Sequence, residues 1–201
     1  MPVLGLTGGI ATGKSTLTPL LLRELPGTEH FDADRCVHDL LSGDDAVKHA
    51  IVDTFGSTVL DDTGRPSRRK LRDVVFADES RRKMLESILH PAVRTRRLEA
   101  ARLAREKNGW LLADIPLLYE TGVQGDFDRV IVVGCPRVTQ QNRLILERGL
   151  ALELAERIMA TQMDIGAKTL LADHVIWNDS TVSNLDGQSR LLAAWLKQHY
   201  G

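Results

Sequence analysis

The chain has 201 residues, 43% of them hydrophobic, a length that suits one α/β core better than two ordinary domains joined by a linker. Its 26 Lys and Arg against 27 Asp and Glu leave a formal net charge of -1. That balance excludes a global basic field for nucleic acid and an acidic solvating tail, so any anion binding must be local.

A short apolar run over residues 3–6 predicts a buried strand. It leads into Gly8-Gly9-Ile10-Ala11-Thr12-Gly13-Lys14-Ser15-Thr16, which fits the phosphate-loop pattern G-x-x-x-x-G-K-[ST]. Each residue type has a mechanical reason. Glycines permit positive φ and the close approach of a bulky anion, Lys14 carries a mobile charge to the β- and γ-phosphates, and the Ser15 hydroxyl is a hard ligand for Mg²⁺. Leu17, Leu20, Leu21 and Leu25 continue with helical spacing, so a helix is expected over about 13–25, kinked or distorted by Pro19. A candidate strand over 28–32 then delivers Asp32-Ala33-Asp34 to the carboxyl edge of a sheet. One aspartate can cap the following helix while the other faces a site.

From residue 42 to about 108 the sequence turns helical and charged, with helices expected at 44–55, at 67–76 and from 79 onwards. A parallel sheet needs only a short crossover, so this length predicts a substrate-covering insertion. Its basic stretch Arg94, Arg96, Arg97, Arg102, Arg105 and Lys107 reads either as a solvated helix face or as a surface for an anionic substrate. A buried strand over 109–115 carries Asp114 towards an Mg²⁺ shell, and another over 128–134 precedes Pro136 at a favourable first helical position. Arg143 and Arg148 on the helix that follows, with a second amphipathic stretch over 152–163, predict a lid closing over phosphates; pairing with Glu147, Glu153 or Glu156 is the plainer alternative. A strand over 172–177 and a helix over 185–196 close the chain. Five strands alternating with helices give a doubly wound parallel sheet with the nucleotide at its carboxyl edge. Cys36 and Cys135, far apart and without metal-ligand spacing, fit a reducing cytoplasm; no export signal or membrane span is apparent.

Several phrases in one order resemble the dephospho-coenzyme A kinase family: Thr7 to Ile10 with Gly13 to Thr16; Asp32 to Asp34; Arg68, Leu71, Val75 and Phe76; Leu89, His90 and Pro91; Pro116 to Glu120; and Ala172 to Asn178. The resemblance implies a single phosphate-loop kinase domain: core 1–33, 109–136 and 167–201, helical acceptor-binding insertion about 34–108, lid about 137–166. It implies transfer of phosphate from ATP, with Mg²⁺, to the 3′-hydroxyl of dephospho-CoA. Asp34 would orient or deprotonate that hydroxyl, and Lys14 and Arg143 would stabilise charge on the moving phosphoryl group. Gly8, Gly9, Ala11, Thr12, Gly13, Ser15, Thr16, Arg148 and Asn178 would complete the nucleotide site. Asp32, Arg68, His90, Pro91, Leu117, Tyr119 and Glu120 would hold the acceptor, with His90 equally readable as a capping or core histidine. Ser15 and Asp114 would ligate the metal. No nucleic-acid or membrane partner is implied, and a monomer or weak homo-oligomer is expected.

Two departures stand out. Ala11-Thr12 replaces the family's Gly-Ser inside the loop, and Arg143 and Arg148 are five residues apart where the resemblance leads one to expect four. The alternatives are a nucleoside or nucleoside monophosphate kinase, which shares loop, lid and sheet, and a GTP-dependent switch, whose Asn-Lys-x-Asp phrase is absent.

Overall fold

In the computed structural model, residues 2–76 and 78–201 are described, apart from the side chain of Phe76, so that part of the Val75-Phe76 phrase lies outside the described residues. A five-stranded parallel sheet has the order β2-β3-β1-β4-β5. Strand β1 (Val3–Gly8) is buried along its whole length, as a central parallel strand covered on both faces must be. It pairs with β3 (Leu111–Asp114), setting Leu6 opposite Asp114, and with β4 (Arg129–Gly134), setting Gly8 opposite Val133. Beyond β4 lies β5 (His174–Trp177), and β2 (Glu29–Asp32) forms the other edge. Each strand begins and ends within two residues of its expected bounds.

Period-two alternation assigns the two faces. Leu4, Leu6, Ile131 and Val133 point to one, where Leu17 and Leu21 of α1 (Lys14–Glu24) and Leu185, Leu192 and Leu196 of α9 (Val182–Tyr200) cover them. Val130 and Val132 point to the other, against Leu118, Tyr119 and Ile165. Helix α1 runs unbroken through Pro19, so the expected distortion is not a break.

The chain divides into two compact units, one made of Met1–Phe31 with Ala100–Gly201 and the other of Asp32–Glu99. The second holds α2 (Ala33–Gly43), α3 (Asp45–Phe55), α4 (Arg68–Phe76) and the first part of α5 (Glu79–Glu106) around its own core of Leu40, Val47, Ile51, Leu71 and Leu89. In the first unit, β4 is followed by α6 (Arg137–Asn142), a π-helical turn (Arg143–Glu147), α7 (Leu152–Ala160) and α8 (Ile165–Leu171). Helix α8 had no counterpart among the expected elements. No helix among the described residues is long and apolar enough to cross a membrane.

Candidate active site

The loop between β1 and α1 is shaped by close approach. A Cβ at Gly8 would stand 2.3 Å from the carbonyl oxygen of Val133, and one at Gly9 would stand 2.6 Å from Oε1 of Gln140. The buried Thr12 donates its hydroxyl to the Gly9 carbonyl at 2.8 Å, stapling the loop internally. Ala11 occupies the left-handed region at φ 57, which a residue with a Cβ adopts at a cost of about 1 kcal/mol. The missing glycine at this position therefore leaves the turn intact and strained. Gly13 caps α1 at φ 95 with no side chain to accept the first-turn N–H groups, leaving that positive helix end for an anion. Lys14, half-exposed, and Ser15 and Thr16, exposed, open the helix.

A Cβ on Gly13 would lie 2.1 Å from Nδ2 of Asn178, in addition to the backbone strain of its φ. The Gly13→Ala protein is expected to lose about 2 kcal/mol and to melt roughly 4–8 °C lower. An unchanged melting temperature would mean that Asn178 is not held where it lies.

Asn178 is buried, and its amide donates to the Thr12 carbonyl at 2.8 Å while its backbone N–H donates to Gly134 at 2.7 Å. Its side chain thus grips the loop backbone. Arg143, half-buried, donates from Nη1 to the Ala11 carbonyl at 3.0 Å and from Nη2 to the Asn178 carbonyl at 2.9 Å. It makes these bonds to backbone oxygens, not to the glutamates of its own segment. Leu144, Ala155 and Met159 pack beneath it against Ile10 and Ala11. Arg148 is exposed. The π turn accounts for the odd spacing: the Arg148 N–H donates to the Arg143 carbonyl at 3.3 Å, an i→i+5 bond that stacks Arg148 over Arg143 much as i+4 does in an α-helix. A further contact from the expected lid segment comes from Gln162, whose Oε1 accepts the Ile10 N–H at 2.7 Å.

Below the loop lies a group that the sequence reading missed. Lys168, in the middle of α8, is fully buried, and its Nζ lies 2.9 Å from Oε1 of Glu120, 3.0 Å from the Pro116 carbonyl and 3.4 Å from the Gly8 carbonyl. Burial pushes the Lys168 ammonium below the ordinary lysine range, and Glu120 opposes the shift. The same Oε1 of Glu120 accepts the Met163 N–H at 2.8 Å. Glu120, expected to hold the acceptor, is exposed and its Oε1 is shared between the buried lysine and the Met163 N–H. Tyr119, also expected at the acceptor, packs its ring with Leu118, Val130, Val132 and Ile165, and burial pushes its hydroxyl up to about 12. Leu117 remains exposed. The one sequence signal for Lys168 is its place three residues after Ile165, on the apolar face of a short helix.

In the second unit, Asp32 caps α2, accepting the Arg35 N–H at 3.0 Å, while Asp34 stands exposed in the first turn. Arg68 is exposed at the start of α4. His90 and Pro91 lie exposed inside α5, so His90 is neither a cap nor a core residue. In the basic stretch, Arg96 pairs with Asp44 at 3.2 Å, Arg105 with Asp128 at 3.6 Å, Lys107 with Glu29 at 2.8 Å and Arg102 with Glu106, which matches a solvated, ion-paired face. Arg94 is exposed, whereas Arg97 is only 2% exposed.

Among the described residues no group of three or more His, Cys, Asp or Glu could cage a metal. The Ser15 hydroxyl at the start of α1 and the Asp114 carboxylate at the end of β3 are hard oxygen donors. Such a sparse set fits magnesium, which takes its remaining ligands from phosphate and water.

A family model described as dephospho-CoA kinase matches residues 2–184. The dephospho-CoA kinase of Symbiobacterium thermophilum is 42% identical over 198 residues, covering 97% of this chain and 80% of that protein. A crystal structure of a Thermus thermophilus protein superposes with a TM-score of 0.79 at 30% identity, over 99% of this chain and 98% of that one. The dephospho-CoA kinase of Campylobacter jejuni superposes with a TM-score of 0.73 at 26% identity, over 97% and 96%.

Proposed function

The chain belongs to the dephospho-CoA kinase family, and from that premise we propose how its own residues carry out the family's reaction. The enzyme transfers the γ-phosphoryl group of ATP to the ribose 3′-hydroxyl of dephospho-CoA, giving ADP and coenzyme A, the last step of coenzyme A synthesis. The observation that carries the reading is the nearly chain-wide family match joined to an intact phosphate loop at the sheet's carboxyl edge. In our assignment the phosphates sit on the loop from Gly8 to Thr16, with Lys14 on the β- and γ-phosphates. Asn178 and Thr12 keep the loop in shape from beneath. Arg143 holds the lid to the loop and offers positive charge to the transferring group, and Arg148 offers a second cation from one turn further on.

Asp34 orients the 3′-hydroxyl and takes its proton as the new O–P bond forms and the β–γ bridging bond breaks. Asp32 serves that arrangement by capping the helix on which Asp34 rides. We assign the acceptor to the Asp32–Glu99 unit with Arg68, His90 and Pro91, and to the exposed Leu117. Ser15 and Asp114 are the residues that would hold Mg²⁺, which when bound neutralises charge on the β- and γ-phosphates. Such chemistry demands positioning and electrostatic preorganisation more than covalent catalysis. We place the reaction in the cytoplasm, where the free thiols of Cys36 and Cys135 are the ordinary state.

The test is a panel of acceptors. Purified protein, ATP and Mg²⁺ are incubated with dephospho-CoA, adenosine, AMP or CMP, and ADP formation and product mass are followed. Because guanidinium groups discriminate an acceptor that carries a diphosphate, kcat/KM for dephospho-CoA is expected to exceed the others by at least about 10²-fold. A higher value for AMP or CMP would convert the assignment to a monophosphate kinase.

A further inference from the structure

The ammonium of Lys168 has three hydrogens, and three acceptors surround it: Oε1 of Glu120 at 2.9 Å and the carbonyls of Pro116 and Gly8 at 3.0 and 3.4 Å. These acceptors belong to two segments of the first unit, the end of β1 and the stretch after β3. Gly8 ends β1 and begins the phosphate loop. Pro116 follows Asp114 by two residues, and its carbonyl also accepts the Thr7 hydroxyl at 3.1 Å. Glu120 reaches onward to the Met163 N–H, in the turn whose neighbouring Gln162 holds Ile10 of the loop. A peptide unit is planar, so fixing the Gly8 carbonyl also fixes the direction of the Gly9 N–H at the entrance of the loop.

We propose that Lys168 is a positioning residue for phosphoryl transfer: its buried ammonium holds the foot of the phosphate loop in register with the segment carrying Asp114 and, through Glu120, with the lid turn. Such a residue touches no substrate. It acts by keeping loop donors and metal ligand in one geometry, where misplacement by about 1 Å costs on the order of 10²-fold in rate. A buried lysine paired with the exposed Glu120 also makes a poor case for stability alone, because solvent screens the partner and well-packed apolar residues of like volume commonly replace even a fully buried pair at no loss.

That last point separates positioning from mere packing. The proposal rests on the dephospho-CoA kinase reading, and turnover of dephospho-CoA by the unaltered enzyme tests that reading separately. Lys168→Met keeps the length and apolar body of the side chain, removes its donors and leaves the carboxylate of the exposed Glu120 with the Met163 N–H. It is expected to melt lower and to lose about 10²-fold in kcat with little change in KM for ATP. Lys168→Met combined with Glu120→Gln removes the unpaired charge beside the new apolar side chain. Its melting temperature is expected to return towards that of the parent while kcat stays low. Each kcat is measured per folded molecule, well below that variant's own melting midpoint, so a poorly stable variant still reports. Near-parental kcat in either variant, or a loss confined to KM, would overturn the proposal.

Discussion

The Lys14→Ala enzyme is expected to melt with the parent and to turn over about 10³-fold more slowly, the size of effect found when a preorganised charge is removed from a developing anion. The side chain begins α1, half-exposed, directly after the uncapped Gly13, so truncation leaves the core formed by Leu17 and Leu21 untouched. Lys14→Arg is expected to rescue little, because a planar fork does not reproduce a compact ammonium at the same point. Turnover by ADP formation, set beside thermal melting, checks both. A Lys14→Ala protein with normal melting and near-normal turnover would rule out the phosphate-loop mechanism.

The second large effect concerns the pair at the start of α2. Asp34→Asn keeps shape and hydrogen bonding but removes the negative acceptor that orients or deprotonates a hydroxyl, so kcat should fall by about 10²–10⁴-fold while KM for dephospho-CoA moves little. Asp32 behaves differently because its Oδ1 is engaged as a helix cap. Asparagine caps about as well as aspartate, so Asp32→Asn is expected to be mild in both stability and turnover, whereas Asp32→Ala costs about 1 kcal/mol. Steady-state kinetics on the three variants decide the matter: a large loss in Asp32→Asn with none in Asp34→Asn would reverse the two roles.

The parts legible in the sequence are those where local chemistry and tertiary use agree. A continuous apolar run followed by Gly8, Gly13 and Lys14 has one economical structure, and β1, the loop and α1 follow it. The Asp32-Ala33-Asp34 phrase before a helical apolar pattern announces a cap at one of the two aspartates, and Asp32 is that cap. Where the fold uses a polar group in long-range packing, the local pattern does not show it. Glu120 and Tyr119 sit in a phrase that looks like a surface loop, yet one is tied to a buried cation and the other is packed in the core. Lys168 is harder still, since lysine is almost never fully buried unless paired, and its partner lies far away in the chain. Helix α8 escaped notice because it is only 7 residues long and includes Gly166, leaving little periodic signal. The long helical run from Glu79 continues through Pro91 to Glu106 and leaves His90 in solvent, so of the readings open in the sequence neither a cap nor a core residue fits it.

The π turn over Arg143–Glu147 has a consequence for how chains of this fold can differ in length. One additional residue in an α-helix ordinarily rotates everything downstream by about 100°, which would carry a second cation to another flank. Here the surplus is absorbed within a single turn, upstream of which Arg143 keeps its bonds to Ala11 and Asn178, and downstream of which Gly149 at φ 67 resets the chain before α7. Removing one residue from this stretch, such as the 79% exposed Leu146, would close an ordinary α-helix with the two guanidinium groups four apart and still on one flank. The segment therefore offers a place where a codon can be gained or lost in evolution without passing through an ancestor in which Arg143 has left the phosphate loop.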